Sequence, residues 1–114
     1  MLASQHRLAN LIAIVDVNGQ QALDYTHRVV DMRPLEERWR SFGWDARTVN
    51  GHDADELAAL MQGLDTRRGA PHVLLANTVC GKGVSFMENR IEWHYLPMTS
   101  EQHANALQEV QESL

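Results

Sequence analysis

Asn18 closes a strand-like apolar run, Leu11-Ile12-Ala13-Ile14-Val15-Asp16, and is followed by Gly19 and Gln20. A carboxamide oxygen there can ligate a hard divalent cation, which prefers oxygen donors, without adding negative charge beside a phosphate. Ligands of open α/β sheets sit beyond the carboxyl ends of the strands, where Asn18 would lie. The run has the form of the second half of a metal–diphosphate site. The first half would lie upstream, yet only seventeen residues precede Asn18 and the first glycine is Gly19. The expectation is a chain that contributes to a cofactor site without holding the cofactor alone. Taken by itself, Asn-Gly is also a common turn.

Other residue types with chemical potential are weaker signals. Gly81-Lys82-Gly83 resembles an anion-binding loop but lacks the full phosphate-loop spacing. Glu92 and His94 have no third ligand at a spacing that would bind zinc. Cys80 stands alone, with no neighbouring motif that would make it a nucleophile. His52 and Asp53 read as a turn and a helix cap. Trp39, Trp44 and Trp93 read as core or interface anchors rather than a stacking platform.

Strand-like and helix-like stretches alternate along the chain. Residues 2–8 read as the end of a helix, 11–16 as a strand buried on both faces, and 17–33 as loop. Pro34 suits the first turn of a helix whose stripe is Leu35, Trp39 and Phe42, and Gly43 ends it. Residues 44–49 read as a second strand. Asp53 and Glu56 cap a helix bearing Leu57, Leu60, Met61 and Leu64 on one face. His72 to Thr78 is a third strand, residues 79–98 a long loop, and Thr99 with Gln102 opens a last helix with the stripe Leu107, Val110 and Leu114. This order, βαβαβ plus a closing helix, predicts an α/β fold with a three-layer parallel sheet. The free edge of the first strand is a natural place for a strand from another chain.

The chain has 114 residues, enough for one domain, and a net charge of −5. That charge offers no basic stripe for nucleic acid. No apolar run reaches membrane-spanning length, so neither nucleic acid nor membrane is an expected partner. Met1-Leu2-Ala3-Ser4 followed by Gln5, His6 and Arg7 does not read as a signal peptide. A single cysteine fits a reducing, cytoplasmic location.

Read in order, these segments resemble the diphosphate-binding domain of transketolase, most closely the N-terminal subunit of split bacterial transketolases. The resemblance rests on Asn10 to Asp16 with Asn18-Gly19-Gln20, on Pro34-Leu35-Glu36 through Trp39-Arg40-Ser41-Phe42-Gly43-Trp44, and on Val49-Asn50-Gly51-His52-Asp53. It continues through Thr78-Val79-Cys80-Gly81-Lys82-Gly83-Val84-Ser85-Phe86-Met87-Glu88-Asn89 to Glu92-Trp93-His94. The GKGVSFMEN run followed by EWH is specific, and the likeness covers nearly the whole chain.

The resemblance implies that residues 1–114 are part of a thiamine diphosphate-binding fold. The implied activity is transfer of a two-carbon ketol unit between sugars. It implies a Mg²⁺ or Ca²⁺ ion shared with partner chains, bound here by the Asn18 side-chain oxygen and the Gln20 carbonyl, with Gly19 and Lys82 beside the cofactor and His94 as the catalytic candidate, able to donate a hydrogen bond to a phosphate or a sugar hydroxyl. Lys82 as a direct phosphate ligand is the less favoured reading, and a structural turn the other; His94 is equally readable as an exposed loop histidine. Partner transketolase-like chains would supply the Gly-Asp-Gly segment and the pyrimidine-binding domain, so the chain alone is expected to be inactive.

Two departures from the family pattern are visible. Ala22-Leu23-Asp24-Tyr25-Thr26 replaces a Ser-Asp-Gly-like stretch, and Tyr95 stands where the family prefers glycine. The absent metal-binding Asp of the Gly-Asp-Gly segment and the Tyr95 change motivate an alternative, a non-catalytic truncated homologue acting as an interaction module. A nucleotide-binding α/β module is disfavoured, because no glycine-rich loop follows the first strand in a phosphate-binding register.

Overall fold

Three parallel strands, β1 (Ile12–Val17), β2 (Asp45–Asn50) and β3 (His72–Asn77), form one sheet in the order β1-β3-β2. The structure is a computed structural model and describes residues 1–67 and 69–113. Parallel neighbours need crossover connections. Here α3 (Leu35–Ser41) precedes β2, and α4 (Ala54–Gln62) joins β2 to β3. Outside these lie α1 (Leu2–Gln5), α2 (Thr26–Val29), a 3₁₀ turn (Ile91–His94) and α5 (Ser100–Glu112).

Two compact units can be distinguished, Met1–Val17 with Met32–Thr78, and Asn18–Asp31 with Val79–Leu114. The first is the three-layer α/β body. On one face of its sheet Ala46, Val73 and Leu75 are buried, packed by Ala13, Val15 and Val17 of β1, by Leu35 and Trp39 of α3, and by Trp44. Trp39 and Trp44 meet edge to face, with centroids 4.9 Å apart. On the other face Val49, Leu74 and Ala76 pack against Leu57 and Leu60 of α4. The strands end flush, Val17 and Asn50 both standing opposite Asn77. At that end Thr78 donates its hydroxyl to the Asp16 carboxylate. Gly51 donates its N–H to the Asn77 carbonyl at 2.8 Å, and a side chain on Gly51 would strike Thr78.

At the opposite end of the sheet His72 is buried. Its Nδ1 lies 3.1 Å from Asp45 Oδ2 and its Nε2 3.1 Å from the Asp65 carbonyl. Arg47 holds the same Asp45 carboxylate at 3.0 Å. The hydrogen bond from Arg47 keeps the Asp45 carboxyl below its ordinary pKa; partial burial opposes this, while the Arg47 charge and His72 reinforce it.

The two expected caps are present. Asp53 accepts the Glu56 N–H at 2.8 Å, and Thr99 and Gln102 form a reciprocal capping box. Other expectations are corrected. The strand buried on both faces is β3, the central one, whereas Ile14 of β1 is 58% exposed. An edge strand has one neighbour, and α4 covers the part of the sheet built from β2 and β3. Phe42 leaves the Leu35–Trp39 stripe because α3 ends at Ser41 and Gly43 turns the chain at φ +80°. Met61 is 44% exposed, while Leu64 is buried. In α5 the buried residue is Ala106, whereas Leu107 and Val110 are 49% and 42% exposed, so the packed stripe lies one position away from the expected one. Leu114 lies outside the described residues. The expected loops also contain short ordered turns, α2 and the 3₁₀ turn.

Candidate functional site

Every residue that the sequence marks as a candidate, Asn18, Gly19, Gln20, Lys82 and His94, falls in the second unit. Asn18 directly follows the last residue of β1 in the chain. Its Oδ1 accepts the Gln20 N–H at 2.9 Å, a turn that asparagine forms with its own side chain. Gly19 sits at φ +74°, a conformation that L side chains rarely adopt.

Beyond this turn the chain doubles back. Gln20 pairs with Tyr25 in an antiparallel bridge, closed by Thr26 N–H to the Gly19 carbonyl (2.8 Å) and Gln21 N–H to the Asp24 carbonyl (3.1 Å). The bridging bonds thus come from the residues flanking Gln20 and Tyr25. In such a pair the N–H and C=O of the facing residues point away from each other. The Gln20 N–H turns to Asn18, and its carbonyl accepts no hydrogen bond among the described residues. Its side-chain Oε1 and Nε2 are buried and also lack a partner. Buried polar groups in native proteins are nearly always paired, so this concentration at one residue needs an explanation.

Tyr25 ties this turn to the 79–98 segment by donating its hydroxyl to the Asn89 carbonyl at 2.8 Å. Asn89 is itself in the left-handed region, at φ +55°, and donates its N–H to the Cys80 carbonyl at 2.9 Å. Gly81 is required for close approach. At φ +74° a Cβ there would lie 2.6 Å from the Met87 carbonyl oxygen. Lys82 lies 3.9 Å from Glu88 Oε1, and the same oxygen accepts the Gly83 N–H at 3.2 Å. One carboxylate oxygen of Glu88 thus accepts the Gly83 N–H and faces the Lys82 ammonium, while the Lys82 backbone N–H donates to the Val79 carbonyl at 3.2 Å.

His94 ends the 3₁₀ turn, exposed, with its ring edge-on to Tyr95 at 4.8 Å. Trp93 beside it is an anchor. Its Nε1 donates to the Phe86 carbonyl at 2.9 Å, and its ring meets Phe86 edge to face. Glu109 of α5 takes both the N–H and the hydroxyl of Ser85, and these bonds, the backbone one foremost, lower its carboxyl pKa.

The Tyr25–Asn89 and Ser85–Glu109 links have no counterpart in the sequence reading. Each joins positions far apart in the chain, and no local pattern encodes them. Among the described residues no three His, Cys, Asp or Glu side chains converge to hold a metal. A site of amide and carbonyl oxygens needs no such cluster. No described helix is long and apolar enough to cross a membrane.

The sequence-family model for the transketolase thiamine diphosphate-binding domain matches residues 1–111. An apulose-4-phosphate transketolase subunit of Phocaeicola vulgatus is 36% identical over 114 residues, covering all of this chain and 41% of its own length. The 6-deoxy-6-sulfo-D-fructose transketolase subunit SqwG of a Clostridium species is 36% identical over 111 residues, 97% of this chain and 40% of that protein. Transketolase from Campylobacter jejuni superposes with a TM-score of 0.85 at 24% identity over 96% of this chain and 17% of that one, a likeness of fold. The chain spans about two-fifths of the length of the first two relatives.

Proposed function

This chain belongs to the transketolase thiamine diphosphate-binding domain family, and we propose that it is a subunit of a thiamine diphosphate-dependent, transketolase-like transferase that moves a two-carbon ketol unit between sugars. Residues 1–114 are read as part of the diphosphate-binding domain. The sugar names carried by the two subunit relatives support the substrate class.

The observation that carries the reading is the Asn18–Gln20 turn. An amide oxygen has two lone pairs, so accepting the Gln20 N–H does not by itself bar a metal bond. The Gln20 carbonyl, turned out of its pair with Tyr25, is a second oxygen two residues on. These donors fit a Mg²⁺ or Ca²⁺ ion shared with a diphosphate, and the orphaned groups at Gln20 fit a site completed by ligand. Tyr25 and Asn89 would hold the turn in place, with Gly19 providing its backbone conformation.

When bound, thiamine diphosphate supplies the electron sink for breaking and forming the carbon–carbon bond. This chain's share is to grip the metal and diphosphate end. No Gly-Asp-Gly run occurs in residues 1–114, and in this reading that segment and the pyrimidine-binding domain are supplied from outside these residues. Lys82 would act through its pairing with Glu88 rather than as a bare phosphate ligand. His94, exposed, would meet the sugar.

A second reading, a non-catalytic docking module, draws support from the exposed ring of Tyr95 and the engagement of Lys82 by Glu88. Native mass spectrometry of the assembly separates the two. Larger chains together with thiamine diphosphate and a divalent metal support the enzyme. A chain that joins an already complete transketolase and takes up no cofactor supports the module.

A further inference from the structure

We infer that the side-chain carboxamide of Gln20 is itself a ligand contact, shaped for a hydrated metal–diphosphate group; this rests on the function proposed above. Both polar atoms of that carboxamide are buried without a partner among the described residues, although, the Gln20 carbonyl apart, the neighbouring polar groups of the turn are engaged. Gly19 and Asp24 carbonyls, the Gln21 and Tyr25 N–H groups and the Tyr25 hydroxyl are all paired.

A primary amide presents a donor and an acceptor side by side. A phosphate alone offers only acceptors and would satisfy Nε2. A divalent ion that keeps part of its water shell offers O–H donors as well, and Mg²⁺ gives up its waters reluctantly. A diphosphate carrying such an ion therefore matches both halves, with Nε2 donating to a phosphate oxygen and Oε1 accepting from a metal-bound water. The same residue would then act twice, by its carbonyl on the metal and by its side chain on the shell around it. An aliphatic side chain at this position would provide only the first contact.

The test is titration of thiamine diphosphate into the assembled enzyme at saturating Mg²⁺, read by calorimetry, with the unliganded melting temperature as a second readout. The variants are Gln20→Met, which keeps length without polarity, Gln20→Glu, which places a carboxylate against the diphosphate, and Asn18→Ala. Gln20→Met should weaken binding about ten-fold, the scale of a hydrogen bond to a charged group, without lowering the unliganded melting temperature. Gln20→Glu should weaken it further. If Gln20→Met binds as the wild type does while Asn18→Ala binds poorly, this inference fails and the function stands. A lowered melting temperature with unchanged affinity would mean that the amide holds only a buried water. If the wild-type assembly takes up no thiamine diphosphate, both readings fall.

Discussion

Tyr25 and Asn89, 64 residues apart, are joined by a 2.8 Å hydrogen bond from the phenolic hydroxyl to the backbone carbonyl. The bond clamps the short turn that carries Asn18 and Gln20 to the glycine-rich segment after β3. Tyr25 also faces Gln20 across the antiparallel backbone bridge, so one residue links the turn with the two candidate ligands to that segment. Arg28 lies over the same ring, 5.2 Å from its centroid.

Tyr25→Phe removes the hydroxyl and keeps the ring. The expected loss is about 1 kcal/mol of stability, with faster hydrogen exchange at the amides of residues 19–26. Exchange rates indistinguishable from wild type would show that the bond does not restrain the turn.

The sheet order assigns very different weights to two residues in the same register. Leu74 is fully buried in the central strand, and Ile14 beside it on β1 is mostly exposed. Leu74→Ala should cost about 2–5 kcal/mol through the cavity it leaves. Ile14→Ala should cost about 1 kcal/mol or less. Urea unfolding of both variants decides, and equal losses would contradict the arrangement.

Asp45 gives a pH signature. Its carboxyl pKa is lowered in the folded state, chiefly by the hydrogen bond from Arg47. The stabilisation is therefore present above the ordinary carboxylate pKa of about 4 and is lost as pH falls through the lower folded value. Asp45→Asn should be less stable than wild type at neutral pH, and the gap should narrow as the pH drops below that range. Denaturation midpoints measured down the acid limb check this; a gap independent of pH would remove Asp45 from the account.

The parts of this fold that are local in origin were legible. Asp53 with Glu56 and Thr99 with Gln102 are three-residue patterns whose hydrogen bonds are fixed by helix geometry, and both occur as read. The alternation of elements gave the parallel α/β class by the same logic. Strand order was not legible, because β1 and β3 are both apolar runs and only tertiary packing decides which lies in the centre. The α5 register failed because Leu107 and Val110 repeat at helical spacing, while the contact is made by the smaller Ala106. At the candidate site, Asn18 stood out from its position after a strand. The orphaned carboxamide of Gln20 did not, since burial without a partner is a property of the folded surroundings.

The central claim is that the Asn18–Gln20 turn grips a divalent metal and, through it, thiamine diphosphate. The direct measurement is the affinity of the assembled enzyme for thiamine diphosphate with and without Mg²⁺, for wild type and Asn18→Ala, with circular dichroism as the control for folding. The account predicts Mg²⁺-dependent binding in the wild type and a loss of about ten-fold or more in the variant with the fold intact, the scale expected when a ligand to a charged centre is removed. Equal affinity and equal metal dependence in the two proteins would contradict it.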